Sequence, residues 1–155
     1  MRKRTLLIAG VAAWALLLVG LAVYSYHRDP ATVPGQTTVA QAKATMDQVT
    51  GELTTVSSSV KISEYAESPC DISNARSGRS VKRELTFTTA PGDEATLLRS
   101  IAAGLPTAYH ATTTESDTTV TMYADAGNFV AVRGRKGADP GSVVVSLLSG
   151  CREGQ

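Results

Sequence analysis

Histidine is nearly missing from this chain, and its scarcity removes most catalytic schemes. His27 and His110 are the only two, and His27 lies beside a long apolar run. A zinc site needs three or four His, Cys or carboxylate ligands. Cys70 and Cys151 are the only cysteines; if they pair, His110 can recruit only carboxylates, so no metal or other cofactor is expected. The spacings His-Glu-x-x-His, Gly-x-Ser-x-Gly and Gly-x-x-x-x-Gly-Lys-Ser/Thr do not occur. That leaves out the metalloprotease, nucleophile-elbow and phosphate-loop chemistries they build. Aromatic residues make up 5% of the chain, and after Arg28 they are Tyr65, Phe87, Tyr109, Tyr123 and Phe129, with no Trp. Base stacking and sugar platforms therefore have little to stand on. An excess of basic charge is also lacking. From Asp29 onward there are 11 Lys/Arg against 14 Asp/Glu, a net charge of −3, so nucleic acid is not an expected partner.

Charge itself is absent from Thr5 to Tyr24, 20 residues, enough to cross a bilayer as one helix. Arg2, Lys3 and Arg4 precede this run, and Tyr24 and Tyr26 close it. Basic residues stay on the cytoplasmic side and amphipathic rings favour the interface, so the rest of the chain is expected outside the cytoplasm. Trp14 falls mid-span, in helix packing or lipid contact. The layout divides as a basic stub at 1–4, a transmembrane signal-anchor at 5–26, a stalk at 27–37 and one domain at 38–155. A cleaved signal peptide is the alternative, because Gly20-Leu21-Ala22 offers small residues for cleavage after Ala22. Signal cores run ~7–15 residues, shorter than this run. The two prolines and the glycine of residues 29–37 suit a short semi-rigid stalk.

Both cysteines follow the export signal, and two lone cysteines in an oxidising compartment pair. A Cys70–Cys151 bridge would tie the loop at Ser68-Pro69-Cys70 to the chain's last residues. Loop-closure entropy sets its stabilisation at ~4 kcal/mol at most. Free buried thiols are the alternative. No Cys-x-x-Cys spacing supports a redox-active pair.

Thr38-Val39-Ala40-Gln41 has the form of a capping box. Val39, Ala42, Met46, Val49, Leu53 and Val56 then recur at steps of three and four, predicting a helix over about 39–54. This stripe is expected to lie on a sheet. A juxtamembrane dimer seam is the alternative, weakened by Ala42, Thr50 and Gly51. A strand is expected over 58–65, and loop chemistry throughout 66–80. Val81, Leu85 and Phe87 predict a strand over 81–89, with Arg83 on its apolar face, snorkelling. Ala90-Pro91-Gly92-Asp93-Glu94 opens a second helix with buried Leu97, Leu98, Ile101 and Leu105, stopped by Gly104 and Pro106. Strands over 107–114, 118–125, 128–135 and 142–150 follow, the last central or covered on both faces. The fold class is α+β: an antiparallel sheet of five to six strands with two helices on one face. Because the stripe can be buried on that sheet, the domain is expected to be monomeric.

The close acidic pairs are Asp93/Glu94 and Glu115/Asp117. The first opposes a helix dipole, the second is turn chemistry, and neither supplies the spaced acid and base of glycoside cleavage. Arg76, Arg79, Lys82 and Arg83 form one basic run; Arg133, Arg135 and Lys136 form another. These seven are the candidate contacts for an anionic polymer or lipid headgroups; solvated loop charge is the plain alternative. No catalytic residue is expected.

Pro69-Cys70, the helix with Leu97, Leu98 and Ile101, and the ending Val143-Val144-Val145-Ser146-Leu147-Leu148-Ser149-Gly150-Cys151 resemble small disulfide-containing envelope proteins of high-GC Gram-positive bacteria. In that group a membrane signal precedes a cysteine, a strand, an amphipathic helix, further strands and a closing cysteine. Many members are lipoproteins; this chain departs from them by having no cysteine just after its apolar run. The resemblance implies location and fold and carries no catalytic residue. The expected role is a membrane-anchored extracytoplasmic accessory or binding domain without enzymatic activity, its partners the membrane, an envelope protein or an anionic polymer. A structural subunit of an envelope complex is the second reading. A hydrolase using a serine with His110 is the third.

Overall fold

A computed structural model describes residues 2–28, 37–57, 59–73, 76–116 and 119–153, with the side chains of 2–7 and 26–28 left undescribed. The chain divides into two compact units, Met1–Pro34 and Gly35–Gln155. The first unit is one helix, α1 (Arg2–Arg28). Its window Ile8–Ser25 has a mean hydropathy of 2.1 and is exposed throughout. At 1.5 Å per residue α1 exceeds the ~30 Å hydrocarbon thickness. It is long and apolar enough to cross a bilayer, as an anchor or a signal sequence would be. The expected stalk lies outside the described residues except at its ends.

The second unit is α+β. Its elements are α2 (Val39–Val56), β1 (Val60–Ile62), β2 (Ala66–Ser73), β3 (Arg76–Thr88), α3 (Glu94–Gly104), a 3-10 turn at Thr107–Tyr109, β4 (Thr112–Ser116), β5 (Thr119–Asp125), β6 (Val130–Lys136) and β7 (Ser142–Ser149). Every strand pairing is antiparallel. The sheet runs β1-β3-β7-β6-β5-β4, and β2 also pairs with β3. β1 and β2 lie end to end along the same edge of β3, since Ile62 faces Leu85 and Ala66 faces Lys82. As expected, β7 is central, with Val143, Val145 and Leu147 buried and Val144, Ser146 and Leu148 half-buried.

The capping box forms: the Gln41 amide N–H donates to Thr38 Oγ1 at 3.3 Å, and the Thr38 amide donates to Gln41 Oε1 at 3.0 Å. The apolar stripe of α2 lies on its own sheet, with Ala42, Met46, Val49 and Leu53 fully buried. Thr45 and Thr50 share the buried face because their hydroxyls donate back to the carbonyls of Gln41 (3.1 Å) and Met46 (2.7 Å), so neither hydroxyl is left without an acceptor. α3 buries Leu98 and Ile101 on the same face of the sheet. It sits close because β6 has glycine beneath it: a Cβ on Gly134 would lie 2.7 Å from a Leu98 methyl.

Two expectations are corrected. Residues 66–80 are not loop throughout but a β-hairpin built from β2 and the start of β3. β2 buries only Ile72 and half-buries Cys70, so it has no apolar alternation to read. Backbone pairing to β3 carries it, and Pro69 is tolerated because β2 pairs on one side only. This brings the sheet to seven strands. Residues 107–110 are not strand either. Tyr109 turns inward in the 3-10 turn, and His110 closes it at φ 48°.

Candidate binding face

Strand side chains alternate between faces, and α2 and α3 take one face of this sheet. The face away from them is bare of α2 and α3. Register brings its residues into rows. One row reads Lys61, Thr86, Val144, Arg135, Thr121, Thr114 across β1, β3, β7, β6, β5 and β4. The next reads Glu84, Ser146, Arg133, Tyr123, Thr112. A third contains Lys82, Leu148, Ala131 and Asp125. A shallow depression of about 450 Å³ opens here, lined by Lys82, Glu84, Tyr123, Arg133, Arg135, Ser146 and Leu148 among others.

The chemistry of the face is cationic on a net-acidic domain. Lys61, Lys82, Arg133 and Arg135 stand against Glu84 and Asp125. Glu84 is engaged: Lys82 Nζ lies 2.8 Å from its carboxylate and the Ser146 hydroxyl donates to it at 3.2 Å. The Lys82 hydrogen bond, supported by Ser146 and the charge of Arg135, holds the Glu84 carboxyl below its usual range. Asp125 accepts from the Gly127 amide at 2.9 Å. Among the described residues, Lys61, Arg133 and Arg135 have neither an ion pair nor a side-chain hydrogen bond. The exposed ring of Tyr123 stands beside Arg133 in register.

Of the seven basic residues singled out in the sequence, the sheet brings Lys82, Arg133 and Arg135 together on this face. The other four go elsewhere. Arg83 points to the helix side: its guanidinium is 2.7 Å from Asp47 of α2 and stacks 4.5 Å over the Tyr65 ring. Tyr65 donates to Asp47 at 2.7 Å, and burial with that bond pushes its hydroxyl up to about 12. Arg79 pairs with Glu67, Arg76 with Glu153 and Lys136 with Glu94. So these four do not form one anion-binding patch with the others. Lys61, Tyr123 and Ser146 escaped sequence reading. The exposed positions of the strand alternation name them, but only pairing register puts them side by side.

The expected disulfide is present: Cys70 and Cys151 are joined with their Cα atoms 5.9 Å apart. Arg152, next to it, is fully buried. It donates to the Thr37 carbonyl at 3.0 Å, to the Thr37 hydroxyl and to the Asn128 carbonyl, while its Nε has no partner among the described residues. Its own amide and carbonyl pair with Arg79. Gly78 leaves room for that bridge, because a Cβ there would run into the Arg152 carbonyl. Burial lowers the guanidinium's pKa. Glu94 is buried at the start of α3 and accepts from the amides of Gly92 (3.1 Å) and Gly141 (2.7 Å). It fastens the β6–β7 turn as well as opposing the helix dipole. Glu115 pairs with Arg99 at 2.6 Å, and Asp117 lies outside the described residues.

His110 is exposed, and among the described residues its side chain has no hydrogen bond to a serine hydroxyl. No group of three or more His, Cys, Asp or Glu is placed to hold a metal ion among the described residues. Comparison with known proteins finds no matching family model, no matching curated protein and no matching solved structure.

Proposed function

We propose that this chain is a membrane-anchored extracytoplasmic accessory domain that binds rather than catalyses, with the bare face of its sheet as the binding surface. The observation that carries the reading is that Arg133 and Arg135 share that face with no ion pair or side-chain hydrogen bond among the described residues, on a domain where the other described arginines are engaged. The long apolar helix, its basic leader and the disulfide support the location. Protease added to intact protoplasts should remove the domain and leave a small stub in the membrane. Protection of the whole chain contradicts the outward orientation, and a soluble product starting at Val23 contradicts the anchor alone.

The envelope-subunit reading draws on one observation: α1 exposes an apolar surface from Ile8 to Ser25. The stripe of α2 no longer serves it, being buried in its own domain. Pull-down after mild detergent extraction separates the readings, since a stoichiometric membrane partner favours the subunit. The hydrolase reading needs His110→Ala to abolish a cellular phenotype in a folded protein.

A further inference from the structure

We infer that the bare face binds a linear polymer of phosphodiester-linked units, laid along β6 with consecutive phosphates on Arg133 and Arg135. The inference deepens the accessory-domain reading and rests on it. Arg133 and Arg135 lie two residues apart on one strand and one face, which separates them by ~6.6 Å along the strand. A short polyol linker sets a comparable separation between consecutive phosphodiesters when extended. Each guanidinium offers a planar fork that matches two phosphate oxygens. Flanking them in register are the hydroxyls of Thr121 and Ser146 and the ring of Tyr123. The Thr121 hydroxyl and the acceptor lone pairs of Ser146, whose proton goes to Glu84, suit the polyol linker, and the ring suits its C–H groups. The nearby carboxylate of Glu84 is hydrogen-bonded by Lys82 and Ser146 and feels the charge of Arg135, but it forms no ion pair with either arginine. Lys61 extends positive charge along the Arg135 row.

An acidic polypeptide fits this face less well. Its own amides and carbonyls need partners, and the face's backbone groups are consumed in the strand ladder. A polyol phosphate brings no such groups.

The test uses the full chain in phosphatidylcholine nanodiscs, titrated with synthetic poly(glycerol phosphate) in a calorimeter. Saturable binding that weakens as salt rises is expected. Arg133→Ala with Arg135→Ala should weaken it about tenfold or more, with an unchanged circular dichroism spectrum and melting midpoint. Arg79→Ala, which removes an ion pair with Glu67, should bind as the parent does. Equal binding by the double variant overturns the inference. So does equal binding of poly-L-glutamate, or a preference for phosphatidylglycerol vesicles over the polymer. Absence of polymer binding, with the domain still shaved from protoplasts, overturns the inference and leaves the accessory-domain reading standing. Protection of the domain from external protease removes both.

Discussion

Single side chains in this domain do their work by closing buried hydrogen-bond accounts. Arg152 has no salt bridge among the described residues and satisfies carbonyls instead. Arg152→Ala should lower stability by about 2 kcal/mol, because the part-buried carbonyls of Thr37 and Asn128 lose their donor and a fully buried side chain is removed. Arg152→Met should lose less, since it restores the packing of the side-chain stem. Urea unfolding at constant slope checks both. Tyr65 and Tyr109 make the pH prediction. Both hydroxyls are pushed up to about 12, by burial first and then by bonds to Asp47 and Glu52 respectively. A folded pKa above the unfolded value of ~10 means the folded state holds the proton more tightly. Their contribution is therefore intact below pH ~10 and lost as pH rises towards 12. Ultraviolet titration should show two tyrosines ionising late, together with falling stability. Two tyrosines titrating normally while the fold persists would contradict these contacts.

Among the elements, the order of reliability follows how each signal is encoded. α2 was legible twice over, in the Thr38/Gln41 box and in the stripe from Val39 to Leu53. β7 was legible because five apolar residues crowd between its serines. The β2–β3 hairpin was not, because Ala66–Ser73 is held by backbone pairing and by one covalent bond. That bond should matter. Cys151→Ser should cost up to about 4 kcal/mol, the loop-closure entropy for an 81-residue separation. Unreduced peptide mass spectrometry should show Cys70 linked to Cys151; two thiols alkylated in freshly isolated protein would contradict the bridge. Because Met46 is fully buried against the sheet, Met46→Lys should unfold the domain rather than dissociate an oligomer. A well-folded monomer from that variant, with a dimer in the parent by light scattering, would move the stripe from core to interface. The arginine face belongs to no single element. Each strand's alternation predicts an exposed position, but the neighbourhood of Arg133, Tyr123 and Ser146 comes from the register of three strands, which local sequence does not specify.

For the whole molecule, the partition of charge is the governing fact. Arg2, Lys3, Arg4 and Arg28 flank the apolar helix, while the residues from Asp29 onward carry a net −3. The sheet's bare face reverses that sign locally, with Lys61, Lys82, Arg133 and Arg135 against Glu84 and Asp125. The proposed role depends on that face meeting the cell exterior, so orientation is the claim from which the others follow. Labelling of intact cells with a membrane-impermeant, amine-reactive biotin tests it most directly. Lys61 and Lys82 are exposed on the face in question, and Lys3 lies in the basic leader. The account predicts biotin on Lys61 and Lys82 in unbroken cells and on Lys3 only after lysis. Biotin on Lys3 in unbroken cells, with Lys61 and Lys82 labelled only after lysis, would contradict it.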